Sequence, residues 1–120
     1  MLFSVKTADL LQKNCRHQTV GLSDGDLKQY VAAVDSWILQ DGKLCRSFNF
    51  NNYYQTLAFV NAIAYVIHAQ DHHPDLAISY QCCTARFNTH SVNAGKGGIT
   101  ENDFICAAKI DAIFRQSFIA

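Results

Sequence analysis

Two hydrophobic periods alternate along this chain. Leu27, Tyr30, Val31 and Val34 recur at helical spacing behind Ser23 and Asp26, an N-cap and a first-turn acid, which predicts a helix near residues 23 to 34. The period then drops to two. Trp37 to Leu39, a turn at Asp41-Gly42 and the run Leu44 to Phe50 read as a hairpin, with Leu44, Arg46, Phe48 and Phe50 alternating against Cys45, Ser47 and Asn49. From Asn52 to Gln70 the helical period returns. Tyr53, Leu57, Val60, Ala64 and Ile67 form one stripe and Phe59, Ala62 and Val66 a second, so this helix is apolar over much of its circumference. Such a helix needs cover on more than one side. In a domain of this size the second cover is expected to be another subunit.

Leu76 to Asn88 contains no glycine or proline but is too long for one ordinary strand, so a hairpin turning near Tyr80-Gln81 is expected. Folding the chain back about Gln81 sets position 72 opposite position 90. After the Gly95-Lys96-Gly97-Gly98 loop, Thr100 and Asp103 sit as N-cap and N3 of a last helix running to Gln116. The expected order is α-β-β-α-β-β-α. Hairpins alternating with helices imply an α+β two-layer sandwich, a four-stranded antiparallel sheet with helices on one face, built as one domain over residues 1–120.

Composition narrows the classes. The chain has 120 residues, 49% of them hydrophobic and 17% charged, with a formal net charge of zero. That is a globular balance, and it argues against a nucleic-acid binder held by phosphate contacts. No run reaches the roughly 18 apolar residues of a membrane span, and no basic region followed by an apolar core opens the chain. A cytoplasmic location without membrane attachment is therefore the expectation. The five cysteines, Cys15, Cys45, Cys82, Cys83 and Cys106, are odd in number and contain no C-x-x-C pair, which favours reduced and mostly buried thiols. Cys82 and Cys83 are strand neighbours whose side chains should point to opposite faces.

The chemistry sits in Asp71-His72-His73-Pro74 and in His90. An imidazole titrates near pH ~6.5, so one histidine can give a proton while another takes one. Pro74 holds His73 in extended geometry and ends the helix arriving from upstream. A C-terminal helix dipole at Gln70 would favour a charged His72, a weak lean toward His72 as proton donor that leaves the division of acid and base between His72 and His90 open, and would disfavour Asp71 unless that carboxylate pairs with an imidazole or a ligand. His17 and His68 read as structural. Three histidines could also hold zinc if a convergent ligand set existed. Gly95-x-Gly97-Gly98 lacks the lysine and hydroxyl of a phosphate loop.

The run Asp71-His72-His73-Pro74, then Tyr80, His90 and Asp103, resembles the signature of the pterin-4a-carbinolamine dehydratases, also known as dimerization cofactors of a homeodomain transcription factor. Thr89-His90, the block Ile99 to Phe104, Trp37 and the Phe48-x-Phe50 strand are similar to that family too, over roughly residues 20 to 115. The resemblance implies dehydration of a 4a-hydroxytetrahydropterin, released by aromatic amino acid hydroxylases, to the quinonoid dihydropterin, with no metal and no organic cofactor. It implies His72 and His90 as the acid/base residues and His73 as the residue that binds and orients the pterin, with all three in the catalytic set. Asp71, Asn88, Thr89 and Ser91 would complete the substrate site, and Asp103 would orient His90 or cap the last helix. The loop from Asn93 to Gly98 looks longer than in the compact animal members. Homo-oligomers, dimer or tetramer, are implied as well. A second function, an interaction protein docking through the long helix, and a third, action on another pterin such as a molybdopterin relative, remain as alternatives.

Overall fold

The computed structural model describes residues 5–118. Its elements run α1 (Thr7–Gln12), α2 (Asp24–Ala32), β1 (Ile38–Gln40), β2 (Lys43–Asn49), α3 (Tyr53–Gln70), β3 (Asp75–Ile78), β4 (Cys82–Phe87) and α4 (Glu101–Ser117). The expected order is present, with the short helix α1 added before it. Local chemistry accounts for most boundaries. The Ser23 hydroxyl accepts the Asp26 N–H at 3.2 Å and the Asn52 side chain accepts that of Gln55 at 2.9 Å, so α2 and α3 start where a capping side chain is available. Asp41 and Gly42 both take positive φ, 52° and 75°, which matches a tight turn to the twist of β1 and β2.

The four strands form one antiparallel sheet in the order β1-β2-β4-β3. Along β4 the odd positions Cys83, Ala85 and Phe87 are buried against the helices, and Cys82, Thr84 and Arg86 face the other way. Cys82 and Cys83 therefore do point to opposite faces. The helices cover one face only, while the other carries the Ser47 to Thr84 hydroxyl contact at 2.8 Å.

The β3–β4 hairpin turns at Tyr80-Gln81, but its centre lies between these residues and not on Gln81. Ile78 pairs with Cys83 and Asp75 with Arg86. Extending that register sets position 72 against 89, one residue away from the expected partner 90. Tertiary bonds set the difference. The Phe50 N–H donates to the Gln81 carbonyl at 2.8 Å, and the Thr56 hydroxyl lies 3.0 Å from both the Asn52 and the Tyr80 carbonyl. These pin the turn to β2 and α3. A one-residue shift exchanges the faces on which side chains lie.

Helix α3 meets the sheet along a line between the two expected stripes: Phe59 of the second is buried, and Val60 and Ile67 of the first pack against the core from the side. Thr56, Phe59 and Ile63 are buried, while Tyr53 and Ala64 are exposed. Phe59 decides the rotation: its ring lies 4.7 Å from that of Phe48, 5.1 Å from Phe50 and 5.8 Å from Phe114. A large aromatic at the centre of a ring cluster buries more apolar surface than a line led by Tyr53 and Ala64 would. Thr56 is tolerated inside because its hydroxyl is hydrogen-bonded. The outer face is left with Tyr54 and Tyr65, 80% and 76% exposed.

Helix α4 packs against α1, α2 and α3, and it is the most deeply buried of the helices. Arg46, which alternation sends to the helix side of β2, is accepted there by Asp111: Nη1 donates to Oδ1 at 2.8 Å. Trp37 Nε1 donates to the same carboxylate at 2.9 Å. Burial pushes the Asp111 carboxyl up, and the two donors pull against that. Asp111→Ala leaves a buried guanidinium and indole N–H without an acceptor and is expected to cost about 3 kcal/mol in urea unfolding. Joint replacement of Arg46 by Met and Asp111 by Leu should recover part of that loss, with the Trp37 indole N–H still lacking an acceptor.

Candidate active site

The site begins where α3 ends. Asp71 adopts the left-handed conformation, φ 48° and ψ 43°, and its N–H bonds the His68 carbonyl while the His72 N–H bonds that of Ile67. This pairing is a Schellman closure with aspartate in the place usually taken by glycine. It reverses the chain within one residue and turns His72 back toward the body of the domain. The Asp71 side chain is left 94% exposed, with Oδ1 3.9 Å from His73 Nε2.

His72 lies on the helix side of the sheet. Its ring stacks on Phe87, centroids 5.9 Å apart and planes 7° apart, and its Nε2 lies 2.6 Å from Asp103 Oδ1. Asp103 is fully buried. Its second oxygen accepts the Thr100 N–H at 2.9 Å and the Thr89 hydroxyl at 3.0 Å. Because Thr89 donates to the carboxylate, it accepts the Thr100 hydroxyl 2.8 Å away, and Thr100 in turn accepts the Asn102 N–H at 3.2 Å. Both threonine hydroxyl protons are thereby assigned. Asp103 closes the capping box of α4 and anchors the end of β4, and it also holds His72. Its partner is His72, whereas the sequence had offered His90 or the cap alone.

Burial would push the His72 imidazolium down, but the hydrogen bond and charge of Asp103 outweigh it and raise the pKa above the usual histidine value. His72 borders a cleft of about 350 Å³ that is also lined by Asp71, Thr89, Ser91, Gln70 and Asn102. His72 can therefore present a held proton to whatever occupies that space.

The remaining expected residues separate. His73 is largely exposed, its side chain at 67%. His90 is exposed and near enough to Asp75 for its charge to act on that carboxylate. Neither is among the residues bordering the His72 cleft, and the extended register sends positions 72 and 90 to opposite faces. Asn88 also faces away, into a separate cleft of about 390 Å³ beside the glycine loop, where Asn93, Lys96 and Gly97 join it. Among the described residues no group of three or more His, Cys, Asp or Glu side chains converges as a metal-ligand set.

Sequence reasoning missed one wall. Residues Cys15, Arg16, His17 and Gln18, from the segment between α1 and α2, border the cleft. They are held by reciprocal bonds: Asn102 Nδ2 donates to the Arg16 carbonyl at 2.6 Å, and the Arg16 N–H donates to Asn102 Oδ1 at 3.1 Å. The Cys15 N–H donates to Gln70 Oε1 at 2.7 Å and Lys13 pairs with Glu101 at 2.8 Å. Leu10-Leu11 behind Asp9 was the available signal for α1, and nothing local marks where the following segment docks.

Comparison with known proteins gives a consistent result. Residues 20–113 match the family model described as pterin 4 alpha carbinolamine dehydratase. A protein of Bdellovibrio bacteriovorus that carries this family's name is 51% identical over 110 residues, 92% of each chain. One from Nitrosomonas europaea with the same name is 42% identical over 90% of this chain and 96% of its own. The crystal structure of a transcriptional coactivator/pterin dehydratase from Brucella melitensis superposes with a TM-score of 0.70 at 29% identity, covering 78% of this chain and 97% of that one.

The His72–Asp103 pair makes stability depend on pH. Folded His72 binds its proton more tightly than the unfolded side chain, so its contribution is complete below about pH 6.5 and fades as pH rises through the folded value. Asp103→Asn should lower the His72 titration, followed by NMR, because the strongest upward influence is removed while burial still pushes down and only the weaker charges of Cys15 and Asp71 oppose it. The same variant should lose the decline in stability that accompanies deprotonation of His72.

Proposed function

The chain belongs to the pterin-4-alpha-carbinolamine dehydratase family of hydro-lyases, and we propose that it dehydrates a 4a-hydroxytetrahydropterin to the quinonoid dihydropterin in pterin cofactor recycling. The observation that carries this reading is the His72–Asp103 contact of 2.6 Å at the edge of a cleft. The hydroxyl on C4a leaves as water only when protonated, and N5 must lose its proton as the C4a–N5 double bond forms. His72, kept charged by Asp103, supplies the first proton. His90 is the base, and His73 orients the ring.

Because His72 and His90 lie to either side of the hairpin end, the reading asks the two-ring substrate to lie across the corner from Asp71 to Pro74. Thr89 and Ser91 border its inner side, and Asn88 contributes through the backbone near His90. The working environment is the cytoplasm, and the substrate's source is an aromatic amino acid hydroxylase.

A second reading, a homo-oligomer or partner-docking protein, is favoured by the exposed Tyr54 and Tyr65 on the outer face of α3. The two readings are compatible if α3 assembles dimers or tetramers. Among the described residues no helix is long and apolar enough to cross a membrane.

The dehydratase reading is tested by following 4a-carbinolamine absorbance with and without the protein. Wild-type protein should accelerate its loss, and His72→Ala and His90→Ala should each lower the rate by about 10²-fold or more. Asp103→Asn should move the alkaline limb of the rate profile to lower pH, since it loosens the proton on His72. An equal rate with and without protein would overturn the reading.

A further inference from the structure

Cys15 and Cys106 stand 91 positions apart in the chain, yet their sulfurs are 3.6 Å apart. Cys106 is fully buried on α4, one turn beyond Asp103. Cys15 is half-buried and borders the cleft that His72 faces. Neither the dehydration chemistry nor the core requires two thiols there. Their environments also divide them. The hydrogen bond from Cys106 pulls the Cys15 thiol below its usual pKa against the cost of burial, and the charges of His72 and Lys109 add to this while Asp103 opposes it. The same contact, with burial, pushes Cys106 up. Burial raises Cys45 as well, and pushes Cys83 up to about 11. A thiol lowered in pKa at a cleft, backed by a second thiol in contact with it, is the arrangement of an attacking and a resolving cysteine.

We infer that Cys15 and Cys106 form an oxidation site on the rim of the cleft, where a peroxide closes them into a disulfide that locks the segment before α2 onto α4 and slows the reaction at His72. The slowing rests on the function proposed above, whereas the disulfide does not. In the first step the Cys15 thiolate attacks one peroxide oxygen, an S–O bond forms, the O–O bond breaks and the second oxygen leaves as water after taking a proton. In the second, Cys106 sulfur attacks Cys15 sulfur, the S–S bond forms, the S–O bond breaks, and the oxygen leaves as water with the Cys106 proton. Two thiols are oxidised, one peroxide is reduced and two waters are made. The sulfurs must approach by roughly 1.5 Å to reach bonding distance. Cys15 can move, since it lies in the irregular segment after α1, while Cys106 is fixed within α4.

The segment is already seated on α4 through Arg16 and Asn102, so the disulfide fixes a wall that is otherwise held by hydrogen bonds. It also removes the Cys15 charge that helps to raise His72. Both effects act on the cleft.

The test is graded hydrogen peroxide on reduced full-length protein, read by intact mass, by peptide mapping without reduction and by turnover before and after a thiol reductant. The expected result is loss of two hydrogens, a peptide linking Cys15 to Cys106, and a loss of turnover that the reductant restores. Cys106→Ser should carry sulfenic acid at Cys15 and no cross-link. First oxidation at Cys45, Cys82 or Cys83 with the pair unlinked overturns the inference, as does a linked form whose turnover equals that of the reduced protein. A reduced protein with no turnover at all counts against the function reading, and the linked peptide then still decides whether the pair is an oxidation site.

Discussion

A carboxylate shut away from water must be surrounded by donors, and the distant parts of this fold meet where Asp103 satisfies that demand. Its oxygens take the start of α4, the hydroxyl at the end of β4 and the imidazole that follows α3. Removing any one donor would leave a buried acceptor short. The same contacts that complete a helix cap therefore fix the distance between the hairpin and the last helix, and the carboxylate that the fold needs there also raises the pKa of the histidine. Structure and proton chemistry share one group, so neither can be varied freely without the other.

What could be read from the sequence follows from the range of the forces involved. Ser23, Asn52 and Thr100 act on backbone groups within a few residues, and Asp41-Gly42 acts within its own turn, so helix starts and the first hairpin were legible. The alternation of β2 and β4 gave the buried face of the sheet. The turn of the second hairpin was legible to within half a residue. That half residue mattered, because the bonds that settle it come from Phe50 and Thr56, far along the chain. A symmetry argument centred on Gln81 brings His72 to His90, whereas the pinned turn brings it toward Thr89 and Asp103.

The rotation of α3 and the docking of the N-terminal segment escaped for a related reason. Apolar periodicity counts residues without weighing them, and the aromatic cluster around Phe59 turns the helix to a line between the two apolar stripes. Cys15 to Gln18 carry no period at all. Their position depends on Asn102 and Gln70, whose side chains offer both a donor and an acceptor, and polar pairings of that kind leave no trace in a hydropathy pattern.

The acids of α4 share an ordering in the chain. Glu101 takes Lys13 and Tyr30, Asp103 takes His72 and Thr89, and Asp111 takes Trp37 and Arg46. In each case the donors are made first and the acceptor last. A chain emerging from the ribosome thus carries its cations and hydroxyls without counterparts, beside an uncovered apolar sheet face, until α4 has left the exit tunnel. One late helix thus supplies the acceptors for three buried donor sets, and the cleft's His72 contact is completed only when that helix is in place.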